Sequence, residues 1–289
     1  MTDVGSARRR SAGRTVVALG VLCGIAALGV VAYAAYELWG TGAEERAVQA
    51  ELRTSFDRAA STVDESAGSS DPADPLAVAA PVEVPADAPA IRRLPGGVDA
   101  AVAAAQFPAD GEALARLQIP AIGVDKFVMR DVDVASLQVG PGHYVGTVRP
   151  GFEGNAAIAG HRTTYGAPFG RVDELQPGDE VTVYSADGLF TYVVLDPAEA
   201  FGDRLDDVNR VEGGHVVVDP DDTWVVAEYG DARLTLTSCH PEFTSRDRIV
   251  VVAELVSEVI PRADIFAGLG EAELLELVSE DLSVVDAFS

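Results

Sequence analysis

The chain has 289 residues, which is enough for one or two domains with a sizeable hydrophobic core. It contains 21 Lys and Arg residues against 46 Asp and Glu residues, giving a formal net charge of −25 at pH 7. Because a phosphate-binding surface needs clustered basic side chains, this charge balance argues against a nucleic-acid-binding protein. The acidic excess is typical of a soluble surface.

An uncharged apolar segment spans residues 15–36. As a helix its 22 residues would extend roughly 33 Å, enough to cross the hydrocarbon core of a bilayer. Interfacial aromatic residues lie at its distal end and arginines precede it: Tyr33, Tyr36 and Trp39, and Arg8, Arg9, Arg10 and Arg14. The pattern predicts a single-pass protein of the cell membrane, with a cytoplasmic N-terminus over 1–14 and a membrane anchor over 15–39. The rest of the chain would be extracellular. The alternative is a cleaved signal peptide, but the apolar core of such a peptide is only about 7–15 residues long.

The composition divides the extracellular part into three regions. Residues 40–112 are rich in Pro, Ala and Asp and predict a tether, in which 43–61 has the pattern of a short polar helix. Residues 113–258 predict the folded domain. Residues 259–289 form an acidic tail whose apolar residues fall on one helical stripe, which favours packing against that domain.

Short β-branched segments separated by turn residues fill the folded domain. They are ARLQIP, NAAIAGH, DEVTVYS, LFTYVVLD, HVVVD, ARLTLTSC and RIVVVAELV. Many short strands with few helical stretches predict an all-β barrel or sandwich.

A lone thiol lies at the end of one of these predicted strands. The other cysteine, Cys23, falls in the apolar N-terminal segment, so no disulfide framework is expected. Cys239 follows an alternating strand, at a point where a rigid scaffold can present a side chain to a cleft. From the residues alone, Cys239 is either a nucleophile or a buried structural cysteine.

Several motifs in this domain resemble those of one family. The segment TLTSCHPEFTSRDRIVV, over 235–251, resembles the TLxTC motif of sortases together with the arginine that opens the next strand. The segment NAAIAGHRTTYGAPF, over 155–169, resembles the sortase histidine motif. LQIPAIGVD and GPGHYVGTVRPG are similar to the opening strands of the same family. The combination of GHRTTYGAPF and CHP is most similar to class E, the housekeeping type of high-GC Gram-positive bacteria.

The resemblance implies a closed, eight-stranded β-barrel with a catalytic Cys–His–Arg set. It assigns Cys239 as the nucleophile, His161 as the general acid/base and Arg248 as the group that stabilises the oxyanion. Arg246 competes with Arg248 for the third role, because both could lie on one face of a strand that begins early.

Three further residues are candidates for substrate binding. Tyr165 fits the class E substrate-binding tyrosine or packs as an ordinary aromatic residue. Ser238 replaces the usual Thr before the cysteine and retains its hydroxyl. His143, in the GPGHY turn, is either structural or part of the substrate groove. His240 and His215 have no catalytic assignment.

The implied function is a cell-surface transpeptidase that cleaves an LPxTG-like sorting signal, LAxTG for class E, between Thr and Gly. A Cys thioester would pass the protein to an amine of a peptidoglycan precursor. The implied partners are secreted proteins with a C-terminal sorting signal, that precursor amine and the membrane; no cofactor or metal is implied. The alternatives are a pilin-polymerising sortase with a Lys acceptor and a non-catalytic binding module. A papain-like protease is disfavoured because its Cys precedes its His.

Overall fold

A computed structural model describes residues 4–68, 94, 97, 100–108 and 111–260. Side chains are described for all of these except 4–18, 38, 39, 62–68, 100 and 101. Part of the predicted tether, 69–93, lies outside the described residues, and so does the predicted acidic tail from residue 261 onward.

Ten strands among the described residues form one sheet that closes into a barrel. They are β1 (Ala113–Ile119), β2 (Val124–Met129), β3 (Gly142–His143), β4 (Gly154–Ala159), β5 (Glu180–Ser185), β6 (Gly188–Val194), β7 (Arg210–Glu212), β8 (His215–Val218), β9 (Ala232–His240) and β10 (Asp247–Leu255). Their order is β6-β5-β1-β2-β3-β4-β9-β10-β8-β7, and β6 also pairs with β10. The ring from β6 to β10 therefore has eight strands, which confirms the predicted all-β closed barrel.

The strand β10 changes its neighbour halfway along its length. Its last residues pair with β6, where Ala253 lies opposite Val194. Its first residues pair with β8 on the same edge, where Arg248 lies opposite Val218. Strand β6 therefore pairs only with the last part of β10, and the first part pairs with β8 instead. The barrel opens at the end where β10 begins.

Two apolar clusters explain why β10 is apolar at almost every position. Ile249 and Val251 face the barrel interior, together with residues of the other barrel strands. Val250 and Val252 face outward into a second cluster, which includes Phe201 of the short helix Pro197–Phe201. A strand buried on both faces needs a continuous apolar run rather than an alternating one.

The remaining regular elements are helices. They are α1 (Val4–Ala35), α2 (Thr41–Gly68), α3 (Ala100–Gln106), α4 (Val134–Val139) and α5 (Pro197–Phe201), with a π-helical turn (Tyr36–Gly40) between α1 and α2. Within the described part of the chain, no helix has the length and apolar character that a membrane crossing requires. The side chains of α1 before Leu19 lie outside the described residues, so the predicted anchor falls partly there.

Helix α2, which belongs to the predicted tether, packs on the barrel. Gln49 donates from Nε2 to the carbonyl oxygens of Phe127 (3.0 Å) and Val139 (2.9 Å), and its Oε1 accepts from the N–H of Phe127 (2.7 Å). The buried carboxylate of Glu45 forms an ion pair with Lys126 of β2. Because these side chains are spaced four residues apart, one stripe of the helix carries the contacts.

Aromatic rings pack the next turns of α2 against the barrel. The Phe56 ring lies 5.1 Å from that of Phe107, 5.7 Å from that of Phe127 and 5.6 Å from that of Tyr184. Edge-on aromatic contacts of this kind add to the burial of apolar area. Residues 41–61 therefore pack on the barrel as part of the folded domain, with a polar stripe near the start of the helix and an aromatic cluster further along.

We expect Gln49→Ala to lower the free energy of unfolding by about 1–3 kcal/mol, because it leaves the buried N–H of Phe127 without a partner. The measurement is chemical denaturation of the full-length protein in detergent. Glu51→Ala is the matched control, since this exposed residue is on the same helix and has a similar helix propensity. Equal stability of the two variants would show that α2 is not held by these hydrogen bonds.

Candidate active site

Cys239 and Arg248 are directly opposite each other on neighbouring strands. Cys239 is the penultimate residue of β9 and Arg248 the second residue of β10, and the antiparallel register pairs the two residues. Side chains of directly opposed residues project from the same face of the sheet. The pairing therefore brings a thiol and a guanidinium to one side of the barrel, at its open end.

His161 reaches the same end through the parallel pairing of β4 with β9. The last residue of β4, Ala159, lies opposite Thr237, and the N–H of Gly160 donates to the carbonyl oxygen of Thr237 (3.1 Å). The hydroxyl of Ser238 then donates to the carbonyl oxygen of Gly160 (2.7 Å). Backbone and side-chain hydrogen bonds thus fix the start of the loop that carries His161 against the end of the strand that carries Cys239.

A glycine is required immediately before His161. A Cβ atom at Gly160 would lie 2.5 Å from the ring of Phe169, which is fully buried in the core. Since a core aromatic ring has little freedom to move away, a larger residue would displace the loop. The close approach of Phe169 therefore helps to set the position of His161.

Burial sets the charge state of His161. Removal from solvent lowers the pKa of its imidazole below the ordinary value of 6.5. The ring of Tyr165 lies against it, with the centroids 4.9 Å apart. At neutral pH the imidazole is therefore mainly uncharged, which is the form that accepts a proton from a thiol.

Two cavities flank the Cys239–Arg248 pair. The first, about 600 Å³, is a mainly apolar groove that ends at Arg248. The second, about 560 Å³ and more open, contains Cys239 and His161. Residues of the first include Tyr144, Val145, Val218, Val225, Val226 and Val250. The site thus has an apolar approach on the arginine side and a more polar approach on the histidine side.

Asn155, which is completely buried, holds one wall of the apolar groove. Its Nδ2 donates to the carbonyl oxygens of Val225 (3.3 Å) and Ala227 (2.9 Å), and its Oδ1 accepts from the hydroxyl of Thr235 (2.8 Å). These bonds tie the 3₁₀ segment Thr223–Val226 to β4 and β9. The sequence analysis missed this role, because a lone Asn at the start of a strand carries no signal of its own.

The two arginines that competed in the sequence occupy different positions. Arg248 borders the apolar groove, and its Nη1 donates to the carbonyl oxygens of Ser245 (3.0 Å) and Asp247 (3.1 Å). Arg246 lines neither cavity, and its 70% exposed side chain forms an ion pair with Asp247 (2.9 Å). A guanidinium has more N–H donors than the two contacts of Arg248 use, so donors remain for a bound carbonyl group.

The three candidate substrate-binding residues line neither cavity. Ser238 is buried and bonded to Gly160, so it positions the loop that precedes His161. His143 is buried, with Nε2 2.9 Å from the carbonyl oxygen of Val148. Tyr165 has a left-handed backbone (φ 49°) and lies against His161, and its hydroxyl accepts from Gln138 (3.3 Å). All three contact their neighbours within the fold, and their role in substrate binding stays a prediction.

A further ionisable group, Arg162, lines the cavity of Cys239 and His161. The buried Arg162 forms an ion pair with Asp173 (2.9 Å). Burial lowers the pKa of His215 and of His240, neither of which lines a cavity. Across the part of the chain that the structure covers, no cluster of His, Cys, Asp and Glu is arranged as a metal site.

The chain is similar to known proteins over the region that carries these residues. Residues 117–256 match the family described as Sortase domain. The chain is 35% identical over 112 residues to sortase SrtE1 of Streptomyces coelicolor, covering 36% of this chain and 27% of that protein. It is 30% identical over 135 residues to sortase D of Bacillus subtilis, covering 46% of this chain and 58% of that protein. These matches therefore span less than two thirds of either relative.

A solved structure, sortase E from Streptomyces avermitilis, is also similar to the chain. The two are 32% identical, and the similarity covers 56% of this chain and 96% of the other, with a TM-score of 0.40.

We expect the free energy of unfolding to fall as the pH is lowered from 7.5 to 5. The pKa values of all four histidines are lowered, mainly by burial, so below about 6.5 the unfolded chain takes up protons that the folded chain does not. Each unit by which folding lowers the pKa of a fully buried histidine takes up to about 1.4 kcal/mol from the free energy of unfolding at low pH. His143→Gln should flatten this pH dependence. Parallel curves for the variant and the unmodified protein, in denaturation series at several pH values, would contradict the expectation.

Proposed function

Since this chain belongs to the sortase family, as its motifs predicted, we propose that it is a cysteine transpeptidase of class E type. Its substrates would be proteins with an LPxTG-like sorting signal, LAxTG in particular. It would cleave the signal between Thr and Gly and transfer the protein to the amine of a cell-wall precursor. The register that sets Cys239 opposite Arg248, together with the cavity that contains Cys239 and His161, carries the proposal, because it supports a nucleophile, a base and an oxyanion donor at neighbouring positions.

The first half of the reaction would form a thioester. The uncharged imidazole of His161 takes the proton of the Cys239 thiol, and the sulfur attacks the carbonyl carbon of the Thr residue. Negative charge then develops on the carbonyl oxygen, where Arg248 supplies N–H donors. When the C–N bond breaks, His161 gives its proton to the departing amine of the Gly residue.

The second half would transfer the acyl group. An incoming amine attacks the thioester carbonyl, the C–S bond breaks, and the amine proton passes through His161 to the sulfur. The reaction exchanges one amide bond for another, so it needs no energy source and no cofactor. If water replaces the amine, the same site acts as a hydrolase.

The apolar groove suits the acyl side of the sorting signal. It ends at Arg248, where the carbonyl oxygen under attack would lie, and its wall contains aliphatic side chains. A short peptide with Leu and Ala residues would bury apolar area there. The groove also contains two carboxylates, Asp219 and Asp222. Asp219 accepts a hydrogen bond from the side chain of Asn209, and Asp222 accepts one from the N–H of Asp219.

We also propose that the N-terminal segment anchors the protein in the cell membrane, with the N-terminus in the cytoplasm and the catalytic domain outside. The described apolar side chains of α1 are largely exposed, among them Leu22 (63%), Ile25 (61%) and Leu28 (71%). Large exposed apolar surfaces mark sites of contact with lipid or protein. Such an anchor would hold the site near secreted substrates and near peptidoglycan precursors in the membrane.

We expect Cys239→Ala to abolish product formation, because no other described residue in the cleft supplies a thiol. The full-length protein in detergent is incubated with LAxTG and LPxTG peptides and diglycine, and products are identified by mass spectrometry. The unmodified protein should yield Thr–diglycine ligation products and an acyl adduct on Cys239. Ligation products formed by the variant would contradict the proposed role of Cys239 as the nucleophile. A folded, unmodified protein that gives neither product nor adduct would favour a binding module.

We expect Arg248→Ala to lower the rate of thioester formation by about 10²–10³-fold, the usual effect of removing one oxyanion donor. Arg246→Ala is the matched control, two residues away and solvent-exposed, and it should keep nearly the full rate. The rate is measured as release of the C-terminal peptide in single turnovers. The reverse ranking would assign the oxyanion role to Arg246.

A further inference from the structure

The cavity that contains Cys239 and His161 has a wall that does not belong to the barrel. Ala34, at the end of α1, and Glu37, in the π-helical turn that follows, line it together with Cys239 and His161. The remaining lining residues come from the loop after β4 and the loop between β9 and β10: Arg162, Thr163, Thr164, Phe243, Thr244 and Ser245. The N-terminal helical segment therefore completes one side of the candidate active site.

One hydroxyl holds this wall in place. Thr41 accepts a hydrogen bond at Oγ1 from the N–H of Tyr165 (3.1 Å) and donates to the carbonyl oxygen of Glu37 (2.7 Å). Gly42 lies so close to the same loop that an added Cβ atom would come within 3.2 Å of the N atom of Gly166. The backbone of Glu37 is thus linked through Thr41 to the loop that begins at His161.

Glu37 is the one carboxylate among the residues that line this cavity. The guanidinium of Arg162, the other charged residue apart from His161, is engaged with Asp173. The cavity therefore offers negative charge on the side away from the apolar groove.

We propose that Glu37 binds the ammonium group of the incoming amine and so selects cationic amines as acceptors. This inference rests on the proposed transpeptidase function and defines its second substrate. The peptide donor approaches along the apolar groove, so the acceptor has the cavity on the His161 side. An amine is mainly an ammonium ion at neutral pH, and a nearby carboxylate attracts it into a partly desolvated cleft.

The chemistry of transfer remains balanced with Glu37 in this role. The bound ammonium gives one proton to the uncharged His161 imidazole, and the free amine attacks the thioester carbon. As the C–S bond breaks, the His161 proton passes to the sulfur of Cys239, and the second amine proton leaves to solvent from the new amide nitrogen. Glu37 exchanges no proton; it concentrates the acceptor near the thioester.

The test compares two nucleophiles in the full-length protein in detergent with an LAxTG peptide as donor. Diglycine is cationic at its amine at neutral pH, whereas hydroxylamine is small and uncharged. We expect Glu37→Gln to raise the KM for diglycine about tenfold relative to the KM for hydroxylamine. Added salt should raise the diglycine KM of the unmodified protein and have little effect on that of the variant.

Glu44→Gln, a neighbouring exposed carboxylate outside the cavity, is the control and should leave the ratio of the two KM values unchanged. If Glu37→Gln leaves that ratio unchanged while hydroxylamine still resolves the thioester, the role of Glu37 is wrong and the transpeptidase stands. If the unmodified protein forms no thioester with the donor peptide, both proposals fall.

Discussion

The pairing of β9 with β10 is the constraint on which the site depends. Its register places Cys239 opposite Arg248, and a slip of one residue would move one of them to the other face of the sheet. The apolar run of β10 does not fix this register, since both of its faces are buried. The alternation of β9 does: Leu234 and Leu236 face the core, while Thr235 bonds to the buried Asn155.

The parallel pairing of β4 with β9 adds the third group. A parallel pair requires a long crossover connection, so residues far apart in sequence meet at the same end of both strands. Here His161 follows β4 directly, and Ser238 bonds to the residue before it across a separation of 78 residues. The thiol and the guanidinium therefore come from two paired strands, β9 and β10. The imidazole comes from the loop directly after β4, whose start is fixed to β9 by hydrogen bonds.

Packing of the N-terminal helices explains how α2 is held against the barrel. Buried polar contacts of Glu45 and Gln49 fix the position of α2 along β2, because each satisfied hydrogen bond would be lost if the helix shifted. Thr41, one turn before Glu45, accepts a hydrogen bond from the N–H of Tyr165 and so links the start of α2 to that loop. The backbone carbonyl of Glu37 accepts from Thr41, so the same contacts fix the turn that lines the cavity of Cys239 and His161.

The sequence by itself determined the all-β class, because β-branched segments bounded by turns correspond to β1, β4, β5, β6, β8, β9 and β10. The choice of a closed barrel over a sandwich came from the family resemblance. It also carried the motifs that resemble sortases and, within them, the three residue types proposed for the site, since these lie in contiguous segments. Strands β2, β3 and β7 were missed, being short or lacking alternation. Only the tertiary structure gave Arg248 and Arg246 different surroundings, showed Ser238 and His143 buried within the fold, and brought Glu37 into the wall of the cavity that contains Cys239. These depend on strand register and helix docking, which arise from contacts between residues distant in sequence and leave no local pattern.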